Sequence, residues 1–136
     1  ATNGCFDLLH AGHIKYLYES SKYGDIFIIG CNSDESVRQL KGNGRPIQTE
    51  KDRALILSAL ECVSFVSIFE EKEAVNFLQT VQPDFYIKGG DYTLDSMDRK
   101  EKEAVTTHGG KIVLASMLQG KSSSSIISKI RHKNER

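Results

Sequence analysis

The chain has 136 residues, 39% of them hydrophobic and 26% charged, with 18 Lys+Arg against 18 Asp+Glu. That length suits one hydrophobic core, so a single domain over residues 1–136 is expected, and the charge balance leaves no global field to recruit nucleic acid or an anionic membrane. Three scattered cysteines, Cys5, Cys31 and Cys62, argue against a disulfide framework or a zinc module and fit a cytoplasmic setting. No apolar run approaches the roughly 20 residues of a membrane span, and no basic-then-apolar leader is expected.

Only Ala1 to Asn3 precede the first polar turn, so the first strand is expected to be cut short. The next segment reads as a helix in which Ile14, Leu17 and Tyr18 share a face, with Gly24 beyond its end. "DIFIIGCN" (25–32) follows as a strand. Thr49 with Asp52 resembles a capping box opening the helix of "ALILSALECV". "VSFVSIF" (63–69), "DFYIKGG" (84–90) and "KIVLAS" (111–116) are continuously apolar, β-branched and aromatic, which predicts buried parallel strands. Gly109 and Gly110 mark a further helix stop, and Ile126, Ile127 and Ile130 give the last helix an apolar face. Such alternation predicts an α/β fold, a Rossmann-like doubly wound parallel sheet of five strands with helices on both faces. Ligands of such a sheet bind beyond the carboxyl ends of its strands.

His10 and His13 stand where the first turn gives way to the first helix. Unpaired N–H groups and the positive end of the helix dipole make that terminus an anion site, and Gly12 lets a bulky ligand approach the backbone. Two imidazole donors there suit the charge that develops on a phosphate during phosphoryl or nucleotidyl transfer. Two other roles fit the same pair. They could ligate a metal with Cys5, although no fourth ligand stands at a familiar spacing, or they could simply cap the helix.

"FDLLHAGHIKYL" resembles the HxGH signature of the cytidylyltransferase-like nucleotidyltransferases, and the similarity runs through essentially the whole chain. "GRPIQTEKDRALILSALECVSFV" and "PDFYIKGGDY" resemble the heptose 1-phosphate adenylyltransferases more closely than the cytidylyltransferases of glycerol 3-phosphate or other small phospho-alcohols. The resemblance implies transfer of AMP from ATP to a sugar 1-phosphate, giving ADP-heptose and pyrophosphate, with CTP and a small phospho-alcohol as the alternative pair. It implies a homodimer, and magnesium accompanying the triphosphate with few protein ligands.

Residue by residue, the resemblance makes His10, His13 and Lys41 catalytic, the lysine of "QLKGNGRP" belonging to a mobile loop that bridges both reacting phosphates. Arg53, in the first turn of the capped helix, is favoured over Arg45 as a phosphate contact. Gly4, Phe6, Gly12, Gly89 and Asp91 are expected against the nucleotide, where Gly89 and Gly90 permit close backbone approach. Ser122, Ser123 and Ser124 of "GKSSSSIISKI" are expected on its β- and γ-phosphates at a helix start. Asp7, Lys41, Lys88 and Asp91 are the candidates for the sugar phosphate. Asp7 could equally hold a loop, and Lys88 could equally pair with a carboxylate.

Overall fold

The computed structural model describes residues 1–90, 92–116 and 122–135. Its elements run β1 (Thr2–Gly4), α1 (Ala11–Ser21), β2 (Ile28–Asn32), α2 (Asp34–Lys41), α3 (Glu50–Ser58), β3 (Phe65–Phe69), α4 (Val75–Val81), β4 (Phe85–Gly89), α5 (Arg99–Thr106), β5 (Lys111–Ala115) and α6 (Ser123–Asn134). Every paired strand is parallel, as the continuous apolar runs predicted.

The strands form two ladders, β1-β2-β3 and β4-β5, instead of one continuous sheet of five. β1 has three residues, all of them paired with β2. It meets β4 through Ala1, whose nitrogen donates to Phe85 O (2.8 Å) and whose carbonyl accepts from Ile87 N (2.9 Å). Side chains secure the join. Thr2 Oγ1 (2.8 Å) and Tyr16 Oη (3.0 Å) both donate to Ile87 O, and Tyr86 Oη donates to Asn3 Oδ1. Burial in this network pushes the Tyr16 hydroxyl up to about 12, so it remains a donor at all ordinary pH.

Side chains alternate across the sheet. Ile29, Cys31 and Ile87 join Leu17 and Leu57 on one face, while Tyr86 joins Phe77, Leu78, Ala104 and Val105 on the other. Helices therefore cover both faces, as expected of a doubly wound sheet. The outer strands depart from expectation: Phe65 is 62% and Leu114 41% exposed, because β3 and β5 end their ladders.

Two helix faces also differ from the expected ones. In α1 the buried positions are Gly12, Tyr16, Leu17 and Ser20, whereas Ile14 and Tyr18 are exposed. Tyr16 and Ser20 tolerate burial because each hydroxyl reaches a backbone carbonyl. In α6 no residue is buried, and Ile130 is exposed, so the isoleucine face does not enter the core. Polar bonds at its first turn attach that helix instead.

The helix starts follow one chemical rule. Ser33, Thr49, Asp98 and Ser122 each accept from the N–H three residues on, and His10 does the same for α1. These caps bring the N-termini of α1 and α6 to the carboxyl ends of the strands.

Candidate active site

A cavity of about 710 Å³ opens over the ends of β1, β2 and β4, lined there by Gly4, Asn32 and Gly89. The chain leaves β1 in one direction to reach β2, and β4 lies on its other side. A cleft between diverging connections of this kind is the usual ligand position in open α/β sheets.

The floor is the turn after β1. Phe6 adopts φ +48°, a left-handed conformation rare for a bulky residue. Its ring folds back over Gly4, where a Cβ would lie 3.0 Å from two ring carbons, so a side chain there would have to push the ring aside. The same ring meets His13 edge-on, with centroids 5.4 Å apart. His13 in turn stacks on His10 at 3.8 Å.

His10 is the N-cap of α1, its Nδ1 accepting from His13 N at 3.4 Å. Capping and lining the cavity are thus both true of this residue, since the cap engages only one ring nitrogen. A neutral ring that accepts at Nδ1 carries its proton on Nε2, which makes Nε2 a donor. His13 is held neutral at pH 7, its pKa pushed down to about 4 by burial first and by the neighbouring His10 second, against an opposing influence of the Leu8 backbone. Its Nδ1 is buried without a hydrogen-bond partner.

One side wall is a loop tied to Asp7. The buried carboxylate accepts from Arg45 Nε at 2.7 Å, from Ile47 N at 2.9 Å and from Gln48 N at 3.0 Å. Burial alone would raise its pKa, but the two backbone N–H groups and the guanidinium outweigh that and hold it below the ordinary value. Of the two roles considered for Asp7, holding a loop is the one the geometry displays. Lys41 is the last residue of α2, exposed on the cavity rim where the loop begins, so it occupies a helix end instead of the loop itself.

The preference for Arg53 over Arg45 is corrected. Arg53 is 1% exposed and absent from the cavity lining; its guanidinium donates to Cys5 O (2.7 Å), Asn32 O (2.7 Å), Asp34 Oδ1 (2.8 Å) and Gln48 O (3.0 Å). These bonds tie α3 to the ends of β1 and β2, and a guanidinium so engaged has little left for a phosphate. Arg45 instead lines the cavity and reaches Ser124 Oγ at 3.3 Å. Gly12 is also behind the wall, buried in the first turn of α1.

The opposite wall comes from β4 and α5. Lys88 Nζ sits 3.4 Å from Glu101 Oε2 and 4.7 Å from the centroid of the Tyr92 ring. Lys88 therefore enters the cavity already paired. Gly90 has φ +102°, which favours glycine at this exit from the strand. Asp91 lies outside the described residues.

The serine run closes the site. Ser122 caps α6 by accepting from Ser125 N, and Ser123 exchanges two bonds with Leu8, accepting from its N–H (3.2 Å) and donating to its carbonyl (2.7 Å). This pair spans 115 residues and fixes the α6 terminus two residues before His10. The cavity thus gathers Gly4, Phe6, Asp7, His10, His13, Lys41, Lys88, Gly89 and Ser122 to Ser124 from the expected set.

It also contains residues that no motif flagged. Glu101 is 4% exposed, accepts from Ala74 N and pairs with Lys88; it was hidden in a charge-rich helix that reads as solvated surface. Lys72 and Glu73 come from a connection with no recognisable pattern, and Tyr92 closes the KGGDY stretch without having been singled out. Among the described residues, no group of three or more His, Cys, Asp or Glu could hold a metal. Burial raises the pKa of Cys5 and keeps it a thiol, a poor ligand and nucleophile.

The fold and this cavity together define a nucleotidyltransferase domain. The chain belongs to the cytidylyltransferase-like family, whose model matches residues 1–131. It is 50% identical over 130 residues to the bifunctional protein HldE of Geotalea uraniireducens (strain Rf4) and 46% identical over 129 residues to that of Geobacter sulfurreducens. These alignments cover 96% and 95% of the chain but only 26% of each relative, so the chain spans about a quarter of their length. Among solved structures, a lipopolysaccharide core biosynthesis protein from Thermoplasma volcanium GSS1 superposes with a TM-score of 0.68 at 29% identity, covering 88% of this chain and 95% of that one. No helix among the described residues is long and apolar enough to cross a membrane.

Proposed function

We propose that this domain transfers AMP from ATP to a heptose 1-phosphate, giving ADP-heptose and pyrophosphate. The observation that carries the reading is the convergence of the His10–His13 pair and the serine start of α6 over one cavity, joined through Ser123 and Leu8. The sugar class is supported by the "GRPIQTEKDR" and "KGGDY" resemblances and by the lipopolysaccharide core protein that shares the fold.

In this reading a phosphate oxygen of the sugar phosphate attacks the α-phosphorus of ATP. One P–O bond forms to the acceptor as the bond to the bridging oxygen of pyrophosphate breaks, with no covalent enzyme intermediate. His10 and His13 donate to the α-phosphate oxygens as charge builds, and Lys41 spans the two reacting phosphates. Arg45, Ser122 and Ser124 hold the β- and γ-phosphates at the positive end of α6. Gly89 and Asp91 border the adenosine, and Lys88 lies toward the sugar.

Magnesium enters this reading with the triphosphate, neutralising part of its charge. With no three-ligand cluster among the described residues, phosphate oxygens and water would supply most of its coordination. A homodimer belongs to the same reading and is tested by sedimentation equilibrium.

The deciding experiment is pyrophosphate release with ATP or CTP against a panel of sugar phosphates and phospho-alcohols, with and without EDTA. Activity with ATP and a heptose 1-phosphate, abolished by EDTA, is expected. Release only with CTP and a phospho-alcohol would replace the reading with a cytidylyltransferase.

A further inference from the structure

Two asparagines stand on neighbouring strands, Asn3 on β1 and Asn32 at the end of β2, and both line the cavity. Each is tethered through its side chain. Tyr86 Oη donates to Asn3 Oδ1, and Asn32 Nδ2 donates to Ser36 Oγ at 2.8 Å. A carboxamide has an acceptor end and a donor end, and here one end of each is open: the Asn3 amino group and the Asn32 side-chain carbonyl have no hydrogen-bond partner among the described residues. Asn32 is only 2% exposed, and a carboxamide that is buried, fixed at one end and unsatisfied at the other calls for a ligand.

Both lie on the side of the strand ends away from the histidines. Thr2 faces α1 through its bond with Tyr16, so alternation turns Asn3 to the other face, where Tyr86 packs against α4 and α5. Asn32 follows Cys31, which belongs to the α1 side of the core, and so takes the same face as Asn3. Lys88, two residues after Tyr86, joins them there with its partner Glu101. Asn3 lies opposite Gly30 in the ladder, which places Asn32 two residues further along and one strand across, a Cα separation of about 8 Å at ordinary strand spacings. A pyranose ring with its hydroxyls spans such a gap.

The chemistry of this face differs from that of the phosphate side. Phosphate recruits guanidinium, ammonium and helix termini, as at the starts of α1 and α6, whereas these two groups are uncharged. A hydroxyl both donates and accepts, so it matches an open N–H beside an open C=O. The helix that starts just after Asn32 carries Lys41 to the cavity rim, so a ligand held by Asn32 lies next to the lysine assigned to the reacting phosphates.

We propose that Asn3 and Asn32 select the acceptor by its hydroxyls: the Asn3 amino group donates to one sugar hydroxyl and the Asn32 carbonyl accepts from another. The sugar is thereby seated between β1, β2 and Lys88, with its phosphate turned toward the histidines. The inference rests on the proposed adenylyl transfer in this cavity and adds the residues that read the acceptor.

The test is steady-state pyrophosphate release by the whole chain, with heptose 1-phosphate and its singly deoxygenated analogues as acceptors. Asn3→Ala and Asn32→Ala should each raise KM for heptose 1-phosphate by about three- to tenfold, the worth of one neutral hydrogen bond, while KM for ATP stays within about twofold. For each variant there should be one analogue, lacking the hydroxyl in question, with which variant and wild type perform alike. Tyr86→Phe and Ser36→Ala, which remove only the tethers, should raise the same KM by a smaller factor and replace an asparagine variant that does not fold. An acceptor KM unchanged in every folded variant would overturn the proposal. So would an equal rise in the ATP KM, or a loss that persists with every deoxygenated analogue, the mark of a merely structural role. Release only with CTP and a phospho-alcohol would refute the proposed function instead, and the same variants measured on that alcohol and its deoxygenated form would then decide the subsite.

Discussion

The carboxylate of Asp7 and the guanidinium of Arg45 meet at 2.7 Å across 38 residues of chain, the former buried and the latter 13% exposed in its side chain. This pair makes the loop after α2 part of the cavity wall. Asp7→Asn keeps the shape but removes the charge and an acceptor from buried donors, so it should cost about 1–3 kcal/mol of stability. Urea denaturation measures that loss, and pyrophosphate release should show a raised KM for the triphosphate as Arg45 is set loose.

The same carboxylate sets an acid limit. Its folded pKa lies below the unfolded value of 3.8, so its contribution is present above that pH and is lost as pH falls through the folded value. His13 acts over a higher window. Its folded pKa of about 4 lies below the unfolded 6.5, so the unfolded chain binds more protons between those values and stability falls as pH drops from 6.5 toward 4. In thermal melts across pH 3 to 8, His13→Gln should flatten the slope between pH 4 and 6.5, and Asp7→Asn the slope below about pH 4.

Arg45 and Arg53 should separate cleanly. Arg53→Ala leaves buried carbonyls and Asp34 without their donor and should destabilise by about 3–5 kcal/mol, the range for breaking a buried ionic network. Arg45→Ala should leave a folded protein with weakened nucleotide binding. A well-folded Arg53→Ala variant with only a binding defect would restore Arg53 as the phosphate contact.

His10→Asn should keep the cap of α1, since asparagine is among the best capping residues, while removing the imidazole. Losing one oriented donor to developing charge costs on the order of a hundredfold to a thousandfold in rate. Circular dichroism near wild type with turnover reduced by that factor is the expected result, and His13→Ala should show a similar loss.

Ser124→Ala should raise the triphosphate dissociation constant by roughly tenfold, the worth of a hydrogen bond to a charged acceptor, with little change in melting temperature. Ser122→Ala should weaken triphosphate binding and in addition cost about 1 kcal/mol of stability through the lost cap of α6. Titration calorimetry and melting curves on both variants separate binding from capping.

The sequence determined those features whose causes are local. Parallel strands at 28–32, 65–69, 85–89 and 111–115 follow from runs of apolar β-formers, and the caps at Thr49 and Ser122 follow from hydroxyls placed three residues before an N–H they can reach. The HxGH stretch and the serine run announced the chemistry because each is a contiguous motif at a helix start. Tertiary structure decided everything that depends on a distant partner. Arg53 and Arg45 look alike in sequence, and only the approach of Cys5, Asn32 and Asp34 makes one a buried tie, as only Asp7 draws the other to the cavity. Glu101 was invisible because burial of a carboxylate depends on Ala74 and Lys88, neither in its own helix. The exposed β3 and β5, the short reach of β1 to β4 and the polar attachment of α6 have the same origin: periodicity says which side chains are apolar, whereas neighbours across space determine which faces are covered.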